Sequence, residues 1–504
     1  MSEAASAALG LAGAIEASCV ATGDGALGLR AGERGWAVLA WAPRPDGLPA
    51  GLAGSASEAF GGSLLVGPAD AANAAALRSA IPWLRPRLLG SATSVGTGDR
   101  LGLATPGHVA AFRANPGIVP VLAQQSAREL GRTGRSFGDV VDAVTFGALA
   151  AGWRGGFGAD ADHLKTIEDL DGGIAAGCTM FTADPVDLVP ELPADAPAAA
   201  IDAAFQAVPW ALLEDDESAF LARYPAVLAM DSVSLDLPRP ALRAAAARFG
   251  AATAHVAEMY RHLLEARGEG AFEFEVAVDE IAFRTTPVDH VYLATELRRL
   301  GVSWVSLAPR FVGRFEKGVD YLGNPAELAG DAEIHAAIAR AMGGYKLSVH
   351  SGSDKFSVYE AFARATRGTL HLKTSGTSYL MALSTIAATD PDLMLRVWRT
   401  ALEAYSTARA SYHVSADLER VRATGSWGRE ELVGLLADPS TREILHVTYG
   451  AVLHGDGAGR ELGDAVRAAV WRHRNGYWAS LTDHIGRHLR PFSRAAIAIA
   501  EAHK

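Results

Sequence analysis

From about residue 99 onward, apolar positions gather into short runs of strand length, each closing on polar residues and each followed by a stretch with helical spacing. Eight such runs follow in order. RLGLATPGH ends at His108, GIVPVLAQQ at Gln124 and Gln125, and GFGADADHLKT packs Asp160, Asp162, His163 and Lys165 together. CTMFTADP ends near Thr182 and Asp184, FEFEVAVDE carries Glu273, Glu275 and Asp279 at alternate positions, and VSWVSLAPR ends at Arg310. KLSVH, ending in His350, and TLHLKT complete the set. Eight strands alternating with helices predict an α/β fold, a (β/α)8 TIM-type barrel. The expected barrel covers residues 99–385, with an insertion around 186–240 where PELPADAPAAA and the acidic LLEDDES interrupt the alternation. The Ala-rich segment Pro240 to Arg267 then reads as one long helix. Residues 1–98, with the apolar runs GWAVLAWAP and GSLLVGP, read as a small α/β extension. Residues 386–504 read as a helical region with an amphipathic pattern reaching Ile497 to Lys504.

Within this frame the stretch YKLSVHSGSDKFSVYEAFARATRGTLHLKTSGTSYL, Tyr345 to Leu380, is strand, polar turn, helix, strand, polar turn. A right-handed crossover would set the two strands side by side and end both on one rim. His350, His371, Lys355 and Lys373 are then expected to face one another.

Composition narrows the class. The 504 residues are 49% hydrophobic and 20% charged, with a net charge of -11 and no block of Lys or Arg. That excludes nucleic acid and anionic membrane as natural partners and leaves a small anionic substrate held by local cations. Two cysteines, Cys19 and Cys178, cannot build a disulfide framework or a Cys-rich zinc site. The N-terminus lacks a basic start and long apolar core, and no apolar run reaches the roughly 18 residues of a membrane span. A cytoplasmic enzyme in a reducing compartment is expected, with assembly into a homo-oligomer left open.

The rim of a barrel, where its strands end, is where chemistry collects. The candidates there are Asp162, His163, Glu275, His350 and His371, a mixture of histidine and carboxylate suited to a divalent cation with open positions. Arg128, Lys165, Arg310, Lys355 and Lys373 are the candidate anchors for a substrate carboxylate or phosphate. Each has a bland alternative: His163 as a loop histidine, His371 as a satisfied core residue, Asp279 and Glu280 as helix caps. Glu273 and Glu275 share a strand face, and burial against the outer helices would be costly, so they are expected to point inward. His484 and His488 stand at i, i+4, yet no Glu follows His484 as in a zincin, so they read as structural. The glycines of SVGTGDRLG and GWRGGFG do not form a phosphate loop, and no G-x-S-x-G elbow supports a serine hydrolase.

DADHLKT (Asp160 to Thr166), SLAPRFVGRFEKGVDYLG (Ser306 to Gly323), YKLSVHSGSDKFS (Tyr345 to Ser357) and HLKTSGTSYL (His371 to Leu380) together resemble the tagaturonate epimerase family, over roughly Leu101 to the C-terminus. The resemblance implies a barrel enzyme that uses a divalent metal (Ni, Mn, Zn or Co) to interconvert D-tagaturonate and D-fructuronate in hexuronate breakdown. The substrate would be an acidic keto-sugar. The epimerised carbon is not next to the ketone, so enolisation does not reach it and a retro-aldol route does. On strand-end position, Asp162 is expected as base, Glu275 as acid, and His163, His350 and His371 as metal ligands. Two other readings remain at this stage. A metal-dependent aldolase or isomerase of another sugar acid or ketose phosphate would differ in its products, and a non-catalytic sugar-acid binding protein would bind without turnover.

Overall fold

The computed structural model describes residues 1–231, 234–423, 431–455 and 458–502. Eight parallel strands close into a barrel: β1 (Ser94–Thr97), β2 (Val119–Ser126), β3 (Gly158–Leu164), β4 (Met180–Ala183), β5 (Glu273–Ala277), β6 (Ser306–Ala308), β7 (Lys346–Val349) and β8 (Leu370–Thr374). Closure runs through β8 against β1, with His371 opposite Ser94 and Thr374 opposite Thr97. A helix follows every strand, so the expected (β/α)8 architecture is observed.

Seven of the eight sequence runs contain a barrel strand. The first does not: His108 lies in the helix Thr105–Ala114, and the barrel opens with β1, upstream of residue 99. The reason is local. Pro106 sits in the first turn of that helix, where its missing N–H is harmless, and Val109, Ala111 and Phe112 bury one face. The true strand has only four residues, one of them Gly96, and carries too short an apolar run to stand out.

The N-terminal run forms a five-stranded antiparallel sheet that includes Trp36–Ala42 and Gly62–Pro68, the two apolar runs read from the sequence. After β4, two short helices, Ala198–Gln206 and Glu217–Arg223, and a two-stranded hairpin precede the 29-residue helix Arg239–Arg267. The C-terminal helices close over the rim. The last, Arg474–Ala502, is tied to the barrel by Trp478 Nε1 donating to the Leu103 carbonyl at 2.8 Å and by Tyr477 to the Ser378 carbonyl at 3.2 Å. The side chains of residues 497–504 lie outside the described residues, so the amphipathic pattern expected there is not placed. No described helix is long and apolar enough to cross a membrane.

Capping sets where rim loops end. Thr166 accepts from the Asp169 N–H, and Asp169 returns a bond to the Thr166 N–H, a capping box that starts the helix Ile167–Ala175 just after β3. Thr166→Ala is expected to lower stability by about 1 kcal/mol, read by chemical denaturation, without removing the helix.

Candidate active site

At the C-terminal ends of the strands the structure gathers a buried polar cluster around one ammonium. Lys373 Nζ lies 2.8 Å from Asp160 Oδ2, 2.7 Å from Asp162 Oδ1, 2.7 Å from Glu275 Oε1 and 2.7 Å from Thr182 Oγ1. Burial opposes its charge, but the three carboxylates outweigh that and hold its pKa well above the ordinary value. The carboxylates respond unequally. Asp162 and Glu275 are held below their usual range, the lysine offsetting their burial, whereas Asp160, buried beside two other carboxylates, is pushed up to about 6.

Above Lys373 stand two histidines whose ring centroids are 4.9 Å apart. His163 Nδ1 is 3.0 Å from Asp184 Oδ2, and its Nε2 is 3.8 Å from Asp162 Oδ1. His350 Nε2 is 2.7 Å from Glu275 Oε1; its Nδ1 lies 2.9 Å from Asp279 Oδ1 without hydrogen-bond alignment. Burial alone would lower both histidines. Asp162 and Asp184 hold His163 up at about 10, and Asp279 and Glu275 hold His350 up at about 9.

Consecutive residues of a regular strand point to opposite faces, so Asp162 and His163 should not both face the chamber. They do because the β3–β4 register shifts between Ala161 and Leu164, and His163 takes φ 51°. A bulge at a strand end re-aims a side chain in this way. Ser351 (φ 50°) and Asp354 (φ 63°) are likewise left-handed in the loop after β7. Such backbone persists where its surroundings enforce it, and it collects at functional sites.

Around these groups is an inner chamber of about 30 Å³, lined by Asp162, His163, His350, Lys373, Gln124 and Glu129, among others. It shares Arg128, Lys317, His350, Ser351 and Tyr412 with an outer cleft of about 640 Å³, the size of an ordinary small-molecule site. Tyr412 and His446 come from the C-terminal helical region, which therefore roofs the site. Gly376, at φ 86° in the turn after β8, allows this approach, since a Cβ there would run into the His446 ring.

The expected site residues separate into three groups. Asp162, His163, His350 and Lys373 converge on the inner chamber, and Arg128, Lys165 and Arg310 line the outer cleft. Arg128 is held by Glu280 at 2.6 and 3.0 Å, Lys165 by Asp187 at 2.7 Å, and Arg310 reaches the Asp279 carbonyl at 3.1 Å. Glu275, His371 and Lys355 line neither cavity. Glu275 points inward as expected, but it is fully buried beneath His350 and Lys373 and also accepts from Ser306. His371 shares a face with Lys373 but sits two residues, roughly 6.6 Å, deeper in the barrel. There it lies 2.9 Å from Ser94 Oγ, and burial pushes it down to about 3. Lys355 spends its three protons on the carbonyls of Glu316, Val319 and Ser353 at 2.8, 2.6 and 2.9 Å.

Asp279 and Glu280 belong to the site and cap no helix, since the next helix, Pro287–Arg299, is capped by Thr286. His484 and His488, read as structural from the sequence, meet Asp354: His484 Nε2 lies 2.8 Å from Asp354 Oδ1, while His488 accepts from the Asp354 N–H at 2.9 Å and bonds the His484 carbonyl at 2.9 Å, and the three residues also offer ligand atoms within 4.8 Å of one another. Sequence reading missed Lys317, although it stands inside one of the motifs quoted above, and it missed Tyr412 and His446, which no motif marks.

A divalent cation fits this donor set. Asp162, His163 and His350 offer ligand atoms within 4.8 Å of one another, and His163 forms a second such group with Asp184 and Glu280. The carboxylates outnumber the fixed cations around the two rings, an excess of negative charge that a divalent ion balances.

The sequence model of a family described as tagaturonate epimerase matches residues 52–492. A tagaturonate/fructuronate epimerase of Thermotoga maritima is 41% identical over 417 residues, covering 83% of this chain and 84% of that protein. Two crystal structures of the fructuronate-tagaturonate epimerase of Cohnella laeviribosi, one native and one with a glycerol, superpose with a TM-score of 0.87 at 32% identity. Each covers 95% of this chain and 96% of its own.

Proposed function

The chain belongs to the tagaturonate epimerase family, and from that premise we propose that it interconverts D-tagaturonate and D-fructuronate in hexuronate breakdown by a retro-aldol route. The observation that carries this reading is the convergence of Asp162, His163, His350 and Lys373 on one small chamber opening into a cleft lined by cations. His163 and His350 would hold a divalent cation, with Asp162 beside it left to move protons. When bound, it supplies Lewis-acid polarisation of the substrate ketone.

The chain's own groups handle the protons. Asp162, kept ionised by Lys373, takes the proton from the hydroxyl on the reacting carbon. The bond from that carbon to its neighbour on the ketone side breaks, its electron pair passes onto the ketone oxygen, and the other fragment is left as an aldehyde. After the aldehyde turns, the bond re-forms on its other face, and Lys373 returns a proton to the oxygen. The 2.7 Å contact between Lys373 and Asp162 lets the proton pass between them and resets the pair. Glu275, first expected as the acid, instead holds Lys373 and His350 from below. Holding the aldehyde fragment in the chamber under the roof of Tyr412 and His446 until the bond re-forms is what separates epimerisation from net cleavage.

NMR of D-tagaturonate incubated with the purified protein is expected to show D-fructuronate without three-carbon fragments. Fragments would mark an aldolase, and binding without change a carrier. Asp162→Asn is expected to lower kcat at least about 10²-fold while metal stays bound, measured by elemental analysis. Loss of metal with loss of rate would make Asp162 a ligand and overturn its role as base.

A further inference from the structure

Where the two cavities meet, one cation has no carboxylate in direct contact among the described residues, Glu129 and Glu280 acting on it only from further off. Arg128 is paired with Glu280, Lys165 with Asp187, and Lys373 with three carboxylates. Lys317 lines both the inner chamber and the outer cleft, and its ammonium donates to a neutral partner, Ser351 Oγ, at 2.7 Å. Among the described residues it has no carboxylate within ion-pair distance. An ammonium carries three protons and a serine hydroxyl one. The contact leaves two protons on Lys317 and the hydroxyl proton of Ser351 for a ligand. Ser351 is set in this place by its left-handed backbone, φ 50°.

Substrate chemistry locates the matching group. In a hexuronate ketose the reacting carbon is two carbons from the ketone on one side and two carbons from the carboxylate on the other. With the reacting carbon beside Asp162 and Lys373, the carboxylate must lie at the mouth of the inner chamber. Arg310, which among the described residues also has no carboxylate within ion-pair distance, lines the outer cleft and not the inner chamber, and its guanidinium donates to the Asp279 carbonyl. We infer that Lys317, with the Ser351 hydroxyl, takes the substrate carboxylate and sets the preference for a sugar acid over a neutral sugar; this rests on the epimerase reading above.

The test compares wild type, Lys317→Met and Lys317→Arg on D-tagaturonate, and uses as a competing inhibitor the neutral ketohexose of the same configuration, in which CH2OH replaces the carboxylate. Lys317→Met is expected to lower kcat/KM for tagaturonate about 10- to 100-fold, chiefly through KM, the size of a lost charged hydrogen bond. Lys317→Arg is expected to recover most of it. The inhibition constant of the neutral sugar and the thermal midpoint of the free protein should not move. An unchanged KM for tagaturonate, or equal weakening of acid and neutral sugar, overturns the assignment. If wild type binds tagaturonate without converting it, the epimerase reading fails by itself, and calorimetric affinities of the same variants still decide the role of Lys317.

Discussion

Lys373→Met is expected to abolish turnover and to lower stability by about 3–5 kcal/mol, the range for stripping one partner from a buried ion cluster. Asp160, Asp162 and Glu275 all rest on this ammonium, and Asp160 and Glu275 have no exposure through which water could take its place. Without it their folded-state pKa values rise above those of the unfolded chain, near 4. A carboxyl whose folded pKa is raised favours the folded state as pH falls, because folding then takes up protons. The deficit should therefore be largest at pH 8 and shrink toward pH 5.5. Denaturation of both proteins at the two pH values checks this; a deficit independent of pH would mean that the carboxylates do not depend on Lys373.

Removing the cation is the second large effect. Treatment with a chelator is expected to bring activity down to background while the protein stays folded, and added Ni, Mn, Zn or Co should restore it. The histidines should not be equivalent. His350→Ala is expected to leave the purified protein nearly free of metal, since His350 stands in the donor group with Asp162 and His163. His371→Ala should keep its metal, since that ring lies a layer below beside Ser94. Full activity after chelation would remove the metal from the mechanism. Metal loss in His371→Ala would bring that residue back as a ligand.

Much of the barrel was legible because strand signals are local. Alternation and length marked seven of eight strands, and the cost of burying carboxylates against helices placed Glu273 and Glu275 inside, where both are found. The miss at β1 has the same cause, since four residues with a glycine carry little pattern, while the neighbouring helix begins with an apolar run around Pro106. The motifs likewise carried the family resemblance, which the similarity to known epimerases supports.

Depth along a strand and departures from its regular pleat are not local properties. His371 and Lys373 share a face by sequence, but closure of β8 against β1 decides that the lysine reaches the chamber and the histidine does not. Asp162 and His163 are neighbours that a regular strand would aim apart, and the register shift against β4 brings both inward. Lys355 reads from sequence as a free cation in a Gly/Ser turn; only the loop folded over it shows three carbonyls using all of its protons. The roof contributed by Tyr412 and His446 arrives from far along the chain. The sequence by itself determined the kinds of element, their order and the chemistry available at the strand ends. The tertiary structure decided which of those groups meet, because barrel closure, a bulge and a long-range roof are set by contacts between segments that no local pattern records.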